Sequence, residues 1–294
     1  QIFKPFNPVT PLRNMDDRIV KALLESKLLD ENDLDIGPLT PGAPLPWWRG
    51  LLHAKYSAEG IEGFLSEQFG DTPLSRPVGD CSVAVNSFDL DAYDLAMLRS
   101  WEAQADPDRD FPMWAAARAT SAAPTYFPAA NIQSQNGKTG LHGVDGAMAV
   151  NDPVLVGLAE ARKLLEARGT APMDTPVFVV SIGTGQKKGR SIPYDRIHDA
   201  GLIGWATHGL IDVLMEGANI AANQLAERLL PDDAFYRFQP ALTGPGFTVT
   251  SAIDDWSAGN ISAMVAAGES FVEQNRAALD KATERLLEGG GAIA

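Results

Sequence analysis

One stretch of the chain joins a carboxylate to small, flexible neighbours: Gly143-Val144-Asp145-Gly146-Ala147. An aspartate followed by small residues can bring its carboxylate and adjoining backbone close to a substrate, as a general base requires. Asp-Gly is also, first of all, a turn dipeptide, and that reading stands beside the chemical one. Ser121, among small residues at an expected helix end, is a candidate nucleophile. A serine on a strand-to-helix elbow needs glycine two residues to either side so that the strained turn fits. The chain contains no G-x-S-x-G, and no G-G-G-x-x-G loop to donate to an oxyanion. Capping or packing is therefore the favoured role for Ser121. Gly183-Thr184-Gly185 follows an apolar run and precedes Lys187, Lys188 and Arg190. A glycine turn there can cradle a phosphate, but a tight exit turn is the better reading. His53, His142, His198 and His208 lack the i, i+4 spacing of a zinc helix. Cys81 stands alone, so no disulfide and no cysteine-built metal site is expected. No cofactor is expected.

The elements that must position these residues follow from hydrophobic periodicity. Residues 1–50 are punctuated by prolines and hold one helical stretch, Asp16 to Leu24. A helix is expected from Ser57 to Phe69, with Ile61, Phe64, Leu65 and Phe69 on one apolar stripe and Gly70 as its stop. Val83 to Phe88 reads as a strand. Asp110-Phe111-Pro112 announces an alanine-rich helix from Met113 to Ser121, and Asn151-Asp152-Pro153 announces another. The unbroken run Val177–Ile182 suits a strand buried on both faces of a parallel sheet. A long amphipathic helix through Ile211 and Leu229, a short strand Phe235–Phe238, and a last helix from Ser257 to Leu287 complete the chain. Alternating strands and helices indicate an α/β layered fold. With no repeat and no clear linker, residues 1–294 read as a single domain.

Composition limits the partners. Against 24 Lys and Arg stand 38 Asp and Glu, a net charge of −14. So acidic a chain is a poor match for nucleic acid and is not drawn over distance to anionic lipid. No apolar run reaches the roughly 18–20 residues of a membrane span. The start, Gln1-Ile2-Phe3-Lys4-Pro5-Phe6, carries no signal-peptide pattern, and a cytoplasmic location is expected. Gln1 is not a Met start, so the reading frame is expected to extend upstream.

In order, three segments resemble the patatin-like phospholipase family. Ala117-Arg118-Ala119-Thr120-Ser121-Ala122-Ala123-Pro124-Thr125-Tyr126-Phe127-Pro128 resembles the family's A-R-A-T-S-A-A-P-T-Y-F-P segment. Asp145-Gly146-Ala147-Met148-Ala149-Val150-Asn151-Asp152-Pro153 resembles its D-G-[GA]-x-x-x-N-[ND]-P segment. Ser181-Ile182-Gly183-Thr184-Gly185 resembles its S-[LI]-G-T-G strand exit. Weaker likeness at Lys55-Tyr56-Ser57, Phe69 to Leu74 and Phe235 to Pro240 extends the resemblance over about residues 50–285. It implies a three-layer α/β/α fold and a lipid acyl hydrolase working through a Ser–Asp dyad. By that carry-over Asp145 is the catalytic base. Gly146 lets the chain pack close to the dyad, and Ala147 satisfies the small third position. The implied partner is a lipid or other acyl ester. The family's glycine-rich loop and serine elbow precede the region that resembles Gln1-Ile2-Phe3, so the chain reads as the C-terminal portion of such a protein, truncated on the N-terminal side. It carries no nucleophile and is expected to be inactive alone. A non-catalytic remnant of the fold, acting as a binding or regulatory module, is the other reading. The cluster Trp47, Trp48, Leu51 and Leu52 suits core packing, and alternatively a lid or a patch for peripheral contact with a membrane. The sequence leaves the oligomeric state open.

Overall fold

The computed structural model describes residues 54–79, 81–171, 173–187, 191–201, 205, 209–250 and 252–289. The expected helix at Asp16–Leu24 and the Trp47–Leu52 cluster lie outside these residues. The chain divides into two compact units, 1–151 and 152–294. Helices and a central sheet are mixed throughout, the α/β class that the sequence leads one to expect.

The first unit opens with α1 (Ala58–Phe69), which follows Ser57 and ends on Gly70 at φ 53°. That backbone angle strongly favours glycine. Glu59 in the first turn complements the helix dipole. The expected stripe is only partly buried: Phe69 packs on the core, whereas Phe64 is exposed. Strands β1 (Ala84–Asp89) and β2 (Asp94–Arg99) form an antiparallel hairpin. Asp89 shapes its tip by accepting hydrogen bonds from the backbone N–H groups of Asp91 and Ala92 at 2.8 and 3.2 Å. A short helix, α2 (Ser100–Ala105), leads to α3 (Met113–Thr120). Pro112 stands at the start of α3, while the Asp110 carboxylate is spent elsewhere, accepting from the Ser75 N–H and Oγ–H at 3.0 and 2.6 Å. Strands β3 (Ala130–Gln133) and β4 (Gly140–Asp145) complete a fully antiparallel sheet in the order β2-β1-β4-β3.

Helix α3 supplies the core of this unit. Ala115, Ala116 and Ala119 are fully buried together with Leu74, Phe111, Ile132 and Leu141. The small side chains let the helix approach the sheet closely. A Cβ at Gly143 on β4 would lie 3.5 Å from Ala119 Cβ and 2.5 Å from Ser87 Oγ, so glycine is required where helix and sheet meet. Arg118 is buried on α3, donating from Nε to Glu62 of α1 (3.2 Å) and from Nη2 to the Pro128 carbonyl (2.7 Å).

The second unit begins with α4 (Val154–Ala167). Asp152 caps it by accepting from the Val154 N–H at 3.1 Å. β5 (Val179–Ile182) is followed by the one-turn α5 (Tyr194–Ile197) and the long α6 (Leu210–Leu229). β6 (Phe235–Phe238) pairs with β5 in parallel, as the apolar run foretold. Burial on both faces is not what the structure has. Among the described residues only β6 pairs with β5, and Ile182 is 76% exposed. A two-residue hairpin pair, β7 (Thr243–Gly244) and β8 (Phe247–Thr248), precedes α7 (Ala258–Gly289). α7 breaks at Asn275, whose side chain donates to the Phe271 carbonyl at 2.8 Å.

The apolar residues Ile211, Leu214 and Leu229 of α6 remain 65%, 63% and 66% exposed. Patches of this kind mark association surfaces or aggregation hazards. The 294 residues made by themselves are expected to self-associate on size-exclusion chromatography with light scattering. A sharp monomer peak with a cooperative melt is the contrary result.

Candidate active site

Asp145 is the last residue of β4. It stands opposite Ser87 of β1, and its N–H donates to the Ala122 carbonyl at 3.0 Å. One carboxylate oxygen accepts from the Ala147 N–H at 2.8 Å. The side chain is thus fixed by sheet pairing on one side and by its own following turn on the other. That turn, Gly146–Met148, is a single 3-10 turn in which the Gly146 carbonyl accepts from Ala149 N–H at 3.1 Å and Val150 N–H at 2.8 Å. The carboxylate is half-buried. Desolvation pushes its pKa above the ordinary carboxylate range and outweighs the opposing pull of the Ala147 N–H. A carboxyl so placed holds a proton more readily than one in water while staying reachable, the balance a general base needs.

Gly146 is required by a close approach, and its neighbour is Asn86 of β1. A Cβ at position 146 would run into the Asn86 carbonyl oxygen and lie 2.6 Å from Asn86 Nδ2. Gly146→Ala is expected to destabilise the first unit by about 1–3 kcal/mol, the usual cost of overpacking, because the obstacle is backbone. Differential scanning calorimetry would show this as a lower Tm; an unchanged Tm would mean that the turn moves aside without cost.

The structure brings Asp145 against the segment 117–128 through the Ala122 carbonyl, so two of the three family-like segments meet in one hydrogen bond. That segment is itself held under tension. Thr125 has φ 75°, a conformation β-branched residues avoid. It is pinned by the Lys55 N–H donating to Thr125 O and the Tyr56 N–H donating to Tyr126 O, both at 2.8 Å. Tyr56 also packs on the Phe127 ring at 5.6 Å between centroids. Lys55-Tyr56 is thereby tied to the site. Strained backbone of this sort persists where the surroundings over-determine it, commonly beside functional groups.

Ser121 takes the bland role. Its hydroxyl donates to the Ala117 carbonyl at 2.8 Å, with the Arg118 carbonyl at 3.3 Å. The proton a nucleophile must surrender is engaged by the last turn of α3. The Gly183-Thr184-Gly185 turn packs against side chains of the segment 237–242. A Cβ at Gly183 would collide with Gln239 and lie 2.6 Å from Arg237 Nη2, while Gly185, at φ 115°, faces Leu242. This favours the exit-turn reading, although Lys188 and Arg190 lie outside the described residues. Of the histidines, His142 pairs with Asp91 through Nδ1 at 2.7 Å on the surface.

Sequence reasoning missed a polar cluster in the second unit. The Asp152 carboxylate, nearly buried, accepts from Asn223 Nδ2 at 2.6 Å and pairs with Arg237 Nη1 at 3.1 Å. Arg237 goes on to donate to Ser181 Oγ (2.7 Å) and Gln239 Oε1 (3.0 Å). The available signal was an arginine inside the aromatic run Phe235-Tyr236-Arg237-Phe238, where an unpaired charge would be costly.

A half-buried aspartate, rigidly presented at the end of a strand of an α/β fold with an alanine-rich helix against the sheet, defines an α/β protein with a candidate acid–base carboxylate. A family model described as patatin-like phospholipase matches residues 13–158, which include Ala117–Pro128 and Asp145–Ala147. Residues 13–158 are thereby assigned to the patatin-like phospholipase family. The chain is 27% identical over 256 residues to patatin-like protein 1 of Arabidopsis thaliana, covering 81% of this chain and 57% of that protein. It is 26% identical over 263 residues to patatin-like protein 1 of Oryza sativa subsp. indica, covering 82% and 62%. A third relative, probable inactive patatin-like protein 9 of Arabidopsis thaliana, is 28% identical over 177 residues, covering 58% and 45%. The chain spans about three fifths of the length of the first two of these relatives. Among the described residues no helix is long and apolar enough to cross a membrane.

Proposed function

We propose that the protein is a lipid acyl hydrolase, a phospholipase A-type serine esterase in which Asp145 is the base of a Ser–Asp dyad. The observation that supports it is the fixed, half-buried Asp145 carboxylate whose proton affinity is raised by desolvation. In this reading Asp145 takes the proton of a serine hydroxyl as its oxygen attacks the acyl carbonyl, then returns it to the departing alcohol. Water repeats the cycle on the acyl-enzyme. Residues 1–294 are read as one patatin-like domain. Peripheral contact with a lipid surface, by way of Trp47, Trp48, Leu51 and Leu52, belongs to the same proposal.

None of the serines in these 294 residues lies in a G-x-S-x-G elbow. The 294 residues alone are accordingly expected to leave a p-nitrophenyl acyl ester intact. Joined to an upstream segment bearing the glycine-rich loop and the elbow, they are expected to hydrolyse it, and Asp145→Ala to abolish that activity. Activity surviving Asp145→Ala removes Asp145 from the mechanism. Turnover by the 294 residues alone would bring another serine, Ser121 first, into the role. The second reading, a non-catalytic module of the same fold, draws on the absent elbow and on the similarity to a relative named as probably inactive. A joined protein that binds lipid but hydrolyses no ester supports it.

A further inference from the structure

The ladder between β1 and β4 ends at the pair Ser87–Asp145. One step further, the register would set Asn86 opposite Gly146, and there the chain turns away. Asn86 fills the place the ladder leaves. Its side chain lies where a Cβ of Gly146 would be, and its Nδ2 reaches past the glycine to donate to the Val150 carbonyl at 3.0 Å. Because a carbonyl can only accept, the amide is oriented with its nitrogen toward Val150. Val150 N–H in turn donates to Gly146 O at 2.8 Å, so both ends of the turn 146–150 are fastened, one to itself and one to β1. The same turn presents the Ala147 N–H to Asp145. Beside Asn86, Ser87 is fully buried and donates to the Val144 carbonyl at 2.7 Å, which fixes the strand from which Asn86 projects.

We propose that Asn86 is a positioning residue for Asp145, a latch that closes the 146–150 turn and through it sets the direction of the carboxylate. The proposal rests on the reading of Asp145 as a base for its catalytic consequence, and on geometry alone for its mechanical one. Glycine at 146 and asparagine at 86 are two halves of one fitting: a Cβ at 146 would lie 2.6 Å from Nδ2 and block its path to Val150. Asn86 bonds to Val150 and acts on Asp145 through the turn between them.

Two variants separate shape from hydrogen bonding. Asn86→Asp keeps the shape, but a carboxylate has no proton to donate to Val150; Asn86→Ala removes both. In the 294-residue chain, amide hydrogen exchange read by NMR is expected to accelerate about tenfold at Ala147 in both variants, the loss expected of one hydrogen bond. Leu98 in β2 and Ala119 in α3 should keep their exchange within about twofold. An unchanged Ala147 amide overturns the latch. Equal acceleration at all three amides also overturns it, since Asn86 would then support the unit as a whole. In the joined, ester-hydrolysing protein, Asn86→Asp is expected to lower kcat by about 10- to 100-fold with KM within about twofold. An unchanged kcat, with Asp145→Asn inactive in the same preparation, overturns the positioning role. If Asp145→Asn also keeps its activity, the dyad reading fails, while the exchange measurement still decides whether Asn86 governs the turn.

Discussion

Asp145→Asn is expected to lower ester turnover by the joined protein by about 10²–10⁴-fold, the span ascribed to a positioned acid–base group. The substitution is chosen for what it preserves. The amide oxygen can still accept from the Ala147 N–H, so the turn that depends on that bond at 2.8 Å remains closed. What disappears is the capacity to take a proton. KM should move little, because the loss falls on the step in which the serine proton is transferred. The pH profile carries a second signature. The base must be ionised, so kcat/KM should rise with pH through a point above the usual value of about 4 for an aspartate, since burial raises the carboxyl. Stability should run the opposite way. A carboxyl held above its unfolded value contributes stability that is fully present below the unfolded pKa and lost as pH rises through the folded one. Asp145→Asn escapes that loss. Its Tm should exceed that of the parent chain near neutral pH, and the gain should vanish below about pH 4. Equal melting curves at both pH values would mean that Asp145 is not desolvated in solution.

The second large effect concerns folding. Asp152→Ala is expected to destabilise the second unit by about 3–5 kcal/mol, the cost of stripping one partner from a buried ion pair. For a protein of this size that is a fall of about 6–20 °C in Tm. Asp152 joins three elements at once: the start of α4 through Val154 N–H, α6 through Asn223, and β6 through Arg237. Without it the guanidinium of Arg237, mostly shielded from water, keeps only Ser181 and Gln239. The double variant Asp152→Leu with Arg237→Met removes both charges and is expected to cost markedly less than the two single changes added together. Strict additivity in thermal melts would show that the carboxylate and the guanidinium do not depend on each other.

The elements carrying long helical periodicity were readable without coordinates. The start of α1 at Ser57 and its stop at Gly70, the run of α6 from Leu210 to Leu229, and the strand Phe235–Phe238 all lie where their spacing puts them. The antiparallel sheet of the first unit was mostly hidden. β2 reads Asp-Leu-Ala-Met-Leu-Arg, with no clean alternation, and the β1–β2 turn is built by Asp89 rather than by an Asn-Gly pair. The β3–β4 turn does contain Asn136-Gly137, with Gly137 at φ 69°, and this pair is the overlooked signal for that hairpin. For β5 the apolar run conveyed direction but not burial, because coverage depends on neighbours remote in sequence. At the candidate site, Asp145 stood out by its company of small residues. Asn86 and Arg237 did not, since each acquires its role from a partner more than 60 positions away.

The Asp145 N–H donates to the Ala122 carbonyl, so two stretches separated along the gene share one joint. A transplant of residues 145–153 into another scaffold would arrive without its anchor, and a library that shuffles the two stretches independently would mostly produce ill-aimed carboxylates. Recombination between parents should preserve them as a pair.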